Sequence, residues 1–286
     1  MSVPSERSRF VDTSAGAVRY VQAGQGVDVV LLHGAMTCLE DMLLGPFDAL
    51  AARFRVTAFD RPGHGATQRV RLRGAPRRQA AHIHLAMRAL GLERPIVVGQ
   101  SFGATLALDL ALEHREDVRG VVAISPIAFP ELRLEHLLFG PRAMLGMGEL
   151  IAFGPGRLMD AALMPYLWQA IFAPQPMPAR FRDGFPFDLA TGPSQMVALG
   201  EEAVLALPDL AVAAQRYAQC QTPAIVIAGQ ADVVAAPWRH ASRLARLLPA
   251  AELKLLGGQG HMLHHFAIEP IVTAVDTLMA RVAHGR

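Results

Sequence analysis

Ser101 stands at the centre of Gly99-Gln100-Ser101-Phe102-Gly103. Pro95–Val98 before it are extended-type residues, and Ala104–Leu112 after it are mostly strong helix formers. The stretch reads strand, sharp turn, helix. Gly-x-Ser-x-Gly in that context is a nucleophile elbow, which lifts one hydroxyl to the sheet edge. The central residue is pushed into a strained backbone region, and the flanking glycines remove the Cβ atoms that would clash. The bland alternative is an ordinary Gly/Ser turn; the flanking strand and helix favour the elbow. A serine there suits acyl transfer. That chemistry needs a base, a group that holds the base, and donors for an oxyanion.

Three further candidates sit where strands are expected to end. They are His33-Gly34-Ala35-Met36, Asp232 in Gly229-Gln230-Ala231-Asp232, and His261 after Gly257-Gly258-Gln259-Gly260. In an open parallel sheet, reacting groups gather at the carboxyl ends of strands. Ser101, Asp232 and His261 also follow the chain order serine, acid, histidine. With eleven histidines in the chain, any one of them is more often structural or solvated than catalytic.

The elements that must position these groups follow in order. Arg9–Asp12 and Val18–Gln22 read as short strands. Val27–Leu32 is a near-continuous apolar run, as in a parallel strand covered on both faces. A helix is expected over Pro46–Phe54, then a strand over Arg55–Phe59 ending in Asp60-Arg61-Pro62-Gly63-His64-Gly65. Arg69, Arg71, Arg73, Arg77 and Arg78 read as a solvated arginine-rich loop. Gln79–Leu90 is helical and closed by Gly91. After the elbow, Val118–Ile124 is another buried strand. This strand–helix alternation signals a parallel, doubly wound sheet.

The alternation breaks over residues 126–220, which hold no convincing parallel strand. Met144, Met147, Met159, Met164, Met177 and Met196 lie there, with Pro174, Pro176 and Pro178. Several helices forming a lid are expected, with adaptable apolar surface. The alternation resumes with strand Pro223–Ala228, helix Pro237–Leu247, strand Glu252–Leu256 and a closing helix over about His265–Val282.

Taken together, Leu31-Leu32-His33-Gly34, Asp60-Arg61-Pro62-Gly63-His64-Gly65, the elbow, Gly229-Gln230-Ala231-Asp232 and Gly260-His261 resemble the α/β-hydrolase fold family, on its serine esterase-like branch. The resemblance covers roughly residues 9–125 and 222–281. It implies a core domain of 1–125 and 221–286 with a helical lid inserted at 126–220. It implies Ser101 as nucleophile, Asp232 as acid and His261 as base. Oxyanion donors would be the N–H groups of Phe102 and Ala35. Met36 is the alternative second donor, and Met36 and Gln100 are expected at the substrate. His33 would brace the oxyanion loop, and Asp60 would shape its own loop. Some relatives carry the acid after the strand that here ends at Ile124; Ser125-Pro126-Ile127-Ala128 offers none, which leaves Asp232.

The implied activity is hydrolysis of a small to medium apolar carboxylic ester through an acyl-serine. The alternatives on the same fold are carbon–carbon bond hydrolysis, lactone opening, perhydrolysis, or a catalytically silent ligand receptor. No metal or organic cofactor is expected. Of the 286 residues, 52% are hydrophobic and 18% charged, so a sizeable core is expected rather than disorder. The net charge of +2 speaks against a nucleic-acid partner. No run reaches the ~18 apolar residues of a membrane span, and Met1–Arg7 shows no signal-peptide pattern. A cytoplasmic protein is expected, with oligomeric state open and a homodimer among the options. Cys38 and Cys220 suggest neither a disulfide framework nor a metal site.

Overall fold

The computed structural model describes residues 8–284; the segment 1–7, read above for a leader, lies outside them. The strands are β1 (Arg9–Val11), β2 (Val18–Ala23), β3 (Asp28–Leu32), β4 (Arg55–Phe59), β5 (Ile96–Gln100), β6 (Gly120–Ile124), β7 (Ala224–Gly229) and β8 (Ala251–Leu256). They form one sheet in the order β1-β2-β4-β3-β5-β6-β7-β8. From β4 onward all pairs are parallel, and β1 and β2 add an antiparallel edge. The chain runs from β3 to β4 on one side, then crosses back to β5 on the other. The ends of β3 and β5 are therefore a topological switch point, where ligands bind in such sheets.

The period of two divides the sheet's apolar residues cleanly. Val30, Leu32, Val97, Val121 and Val226 pack on one face, against α3 (Pro76–Ala89), α4 (Phe102–Glu113) and α11 (Ala241–Leu247). Val29, Leu31, Val98, Val122 and Ile225 pack on the other, against α1 (Leu39–Leu43), α2 (Phe47–Ala51) and α12 (Ile268–His284). Continuous apolar strands are thus explained by two-sided cover.

Between β6 and β7 the described chain is helical: α5 (Leu134–Phe139), α6 (Met147–Phe153), α7 (Gly156–Phe172), α8 (Ala179–Gly184), α9 (Phe187–Ala190) and α10 (Pro193–Arg216). Their inward side chains form a third core with Met36, Cys38, Leu44 and Met262 from the sheet-edge loops. Among the described residues, no helix is long and apolar enough to cross a membrane.

Three expectations need correction. The helix expected over Pro46–Phe54 shortens to α2, and a separate α1 precedes it. Glu40 and Asp41 make α1 look polar, yet both are buried because Arg19 pairs with Glu40 and two imidazoles hold Asp41. The helix expected from Pro237 begins only at Ala241, since His240 is held in the preceding turn by Glu131. The arginine-rich loop is not simply solvated. Arg69 and Arg71 fold inward onto Glu201, at 3.1 and 2.6 Å, and onto Glu149, at 3.1 and 3.3 Å. Two of those five arginines therefore clamp the helices between β6 and β7; Arg73, Arg77 and Arg78 remain exposed.

Candidate active site

Ser101 sits between β5 and α4 at φ 52° and ψ −115°, inside the left-handed half of the map. Its N–H donates to the Ile124 carbonyl at 2.8 Å, which pins the turn to β6. A Cβ on Gly99 would strike the Gly103 carbonyl, and one on Gly103 would strike the Leu32 and His33 carbonyls. Only glycine at both places lets the elbow lie this close to β3.

β7 and β8 deliver the other two groups. Gly229 pairs with Leu256 at the last rung of that ladder. Asp232 lies three residues past the first strand and His261 five past the second. His261 Nδ1 donates to Asp232 Oδ2 at 2.9 Å, and His261 Nε2 lies 2.9 Å from Ser101 Oγ. The carboxylate thus selects the tautomer whose free lone pair faces the hydroxyl. Asp232 Oδ1 accepts from the Val234 and Ala235 N–H groups, both at 2.8 Å. Burial alone would raise this carboxyl, but His261 and the two N–H groups outweigh it and hold it below the usual carboxylate range. All three side chains are buried. A hydroxyl so placed can lose its proton to the imidazole while a fixed anion steadies the resulting cation.

The loop after β3 lies beside the elbow, because Leu32 pairs with Gly99. His33 Nε2 accepts from the Arg61 N–H at 3.0 Å, so Nδ1 carries the proton and donates to the Gly34 carbonyl at 2.9 Å. Arg61 Nη2 donates to the same carbonyl at 2.9 Å. Two donors therefore fix the Gly34–Ala35 peptide, and in a trans peptide the Ala35 N–H points the opposite way. Ala35 and Phe102 line one cavity of about 50 Å³, with Ile127 and, from α10, Leu199, Leu207 and Leu210. Arg61 stacks on the Phe102 ring at 4.8 Å. It is itself fully buried and paired with Glu202 of α10. Burial would raise Glu202, but Arg61 and His64 bring it down to about 2.

Met36, at φ 62°, lines a second cavity of about 350 Å³ with Val233, Val234 and residues of α5 and α7. Its carbonyl accepts from Trp168 Nε1 at 3.1 Å. Gln100 is enclosed rather than turned toward either cavity. It is 1% exposed, and its amide donates to the His261 carbonyl at 3.4 Å. Asp60 is buried and accepts from Arg19 and from the Leu39 and Ala66 N–H groups. Among the described residues, two clusters have metal-ligand composition: Asp41 with His264 and His265, and Cys38 with Glu40 and Asp60. The first is already joined by hydrogen bonds of 3.0 and 2.8 Å, and Arg19 supplies the cation for the second. Neither geometry demands an ion.

Arg61, Glu202 and Trp168 are neighbours of the site that carry no catalytic motif of their own. Arg61 stood inside a recognised loop pattern, which was the one usable signal. Glu202 and Trp168 come from helices with no local signature.

The alpha/beta hydrolase fold model matches residues 29–267, and the chain belongs to that family. It is 28% identical over 267 residues to 2-hydroxymuconate semialdehyde hydrolase of Pseudomonas putida, covering 90% of this chain and 88% of that one. It is 31% identical over 117 residues to 2-hydroxy-6-oxo-6-(2'-aminophenyl)hexa-2,4-dienoic acid hydrolase of Metapseudomonas resinovorans. There the chain spans 40% of the relative's length, and the match covers 40% of this chain. A thermophilic esterase from Thermogutta terrifontis superposes with a TM-score of 0.75 at 18% identity, covering 96% of this chain and 98% of that one. At that identity the likeness is one of fold.

Proposed function

We propose that the protein is a serine hydrolase acting on carboxylic esters of small to medium apolar compounds. The observation that carries the reading is the relay from Asp232 through His261 to Ser101, with both contacts at 2.9 Å. Ser101 Oγ attacks the ester carbonyl as His261 takes its proton. His261 then returns the proton to the leaving alcohol, and an acyl-Ser101 remains. Water, deprotonated by His261, releases the acid. Asp232 holds the imidazole in its reactive tautomer. The Phe102 and Ala35 N–H groups receive the oxyanion, the second aimed by the Arg61 and His33 bonds to Gly34 O. The apolar chamber beside them, room for a few water-sized spheres, takes the smaller part of the substrate. Helices 126–220 act as the lid that keeps water from this centre.

A second reading is favoured by the relatives. The Pseudomonas putida protein, matched over nearly the whole chain, is named as a semialdehyde hydrolase. The same three residues would then act on a carbon–carbon bond beside a ketone. Turnover of p-nitrophenyl esters of graded acyl length, set against a vinylogous diketone and a lactone, separates the two readings. Ester turnover with labelling of Ser101 by a phosphonate supports the first. Diketone turnover without ester turnover supports the second. Labelling of a different serine removes both.

A further inference from the structure

We propose that the outward face of helices α5–α7 is a docking surface for an anionic lipid bilayer. The proposal is independent of which bond the site cleaves. Each of these helices buries one apolar stripe and shows another to solvent. In α7 the inward residues Asp160, Met164, Trp168 and Phe172 recur every fourth position. Its outward residues include Leu158, Met159, Ala162 and Tyr166. Leu158 is 78% and Tyr166 72% exposed. In α6, Met147, Leu150 and Phe153 point outward at three-residue spacing, and in α5 Leu134 and Leu137 do the same. Soluble amphipathic helices carry charge on that face; a helix apolar all round is covered by something.

Charge indicates what covers it. Between residues 132 and 170 the one exposed charged residue is Arg157. The acids of the stretch are each neutralised by arginine: Glu135 by Arg133, Glu149 by Arg69 and Arg71, and the buried Asp160 by Arg142. The face therefore offers apolar side chains and one free guanidinium, while the partly exposed carboxylates of Glu135 and Glu149 are already paired with arginines. A second copy of this chain fits poorly, since a self-contact would desolvate Arg157 with no unpaired acid on the facing surface to meet it. An acidic headgroup layer over an acyl region meets both features. Tyr166 belongs at the boundary between them. The surface also leads inward. The 350 Å³ cavity opens between α5 and α7, with Leu132 and Leu134 at its rim and Met36 and Val234 at its floor. Met36 is next in the chain to Ala35, so the cavity ends beside the residues of the site.

The test is flotation of the full chain with vesicles of phosphatidylcholine alone and of equal parts phosphatidylcholine and phosphatidylglycerol. Wild-type protein should float with the mixed vesicles. Arg157→Ala should cut that partition by about fivefold. The combined variant Leu150→Glu, Phe153→Glu, Leu158→Glu should abolish it while keeping the wild-type melting temperature and circular dichroism. All three positions are exposed, so the fold does not depend on them. Wild-type protein that stays in solution with both vesicle types overturns the assignment. So does a triple variant that floats as well as wild type. A dimer in light scattering that the triple variant converts to monomer, without vesicle binding by either protein, assigns the face to a second copy instead.

Discussion

In β3, β5, β6 and β7 every residue is buried, whereas helices α5–α7 bury one face and leave an apolar one open. The two regions also treat charge differently. At the sheet edge, buried ionisable groups converge on Ser101 through Asp232 and His261. In the insertion, buried acids such as Glu201 and Glu202 are spent on arginines of the core loops. The contrast teaches where precision is needed. The sheet edge holds hydrogen-bonded groups at fixed distances, while the insertion supplies apolar surface and is locked on through a few ion pairs.

The sharpest break of that comparison is chemical. Ser101→Ala should leave the fold intact and remove hydrolysis by at least ~10³-fold. Asp232→Asn should cost ~10⁴-fold, because an amide at that position favours the wrong imidazole tautomer. Steady-state kinetics on the ester series checks both. If Asp232→Asn keeps a tenth or more of wild-type turnover, Asp232 is not the acid.

The next effect probes the lock between the two regions. Glu202→Gln leaves the Arg61 guanidinium buried beside a neutral amide, a loss of roughly 3–5 kcal/mol. Because Arg61 aims the Gly34 carbonyl, kcat should fall more than KM rises. The pH dependence has a definite sign. A carboxyl held down to about 2 contributes stability above the unfolded-state value and loses it as pH falls toward 2. Wild type should therefore lose stability from about pH 4 downward, and the glutamine variant should lose less over that interval. Denaturant melts at several pH values measure this; parallel curves would show that Glu202 is not the titrating partner.

A packing comparison comes third. Leu32→Ala opens a cavity in a strand covered on both faces and should cost about 2–5 kcal/mol. Leu158→Ala, on the open face of α7, should change stability by no more than ~0.5 kcal/mol in the absence of lipid. Equal losses would mean that the outer face is packed against something in solution.

Much of this was legible in the chain. The parallel strands announce themselves as local apolar runs, and the elbow as two glycines around a serine, because both depend on residues within one turn. The convergence of Asp232 and His261 followed from strand ends in one sheet. What stayed hidden depends on contacts across the chain. Glu202 is 141 positions from Arg61, and Trp168 is 132 from Met36. Nothing near either residue distinguishes it from other members of a helix. The Arg69–Arg71 clamp was hidden for the same reason: a run of arginines reads as solvated until its acids arrive from another element. Helix α1 was missed because Glu40 and Asp41 are buried by partners from Arg19 and from His264 and His265.

A further effect, one of pH, lies on the seam between α4 and α10. Asp109 of α4 is buried, and its Oδ2 has no hydrogen-bond partner. Burial raises its carboxyl first, Asp209 of α10 raises it further, and Arg77 only partly opposes them, so it titrates at about 8. In the unfolded chain an aspartate titrates near ~3.9. Folding therefore takes up a proton between those limits. The contribution to stability is complete below about pH 4 and is lost as pH rises through about 8, at up to ~1.4 kcal/mol per pH unit. Asp109→Asn has the same shape and no charge to lose. It should match wild type near pH 4 and gain on it by up to ~1.4 kcal/mol per pH unit from there to about pH 8, several kcal/mol in all. Melting temperatures of the two proteins across that range decide the matter. Curves that run parallel from pH 5 to about 8 would mean that Asp109 is ionised in the folded chain, and that the seam between α4 and α10 tolerates a buried charge.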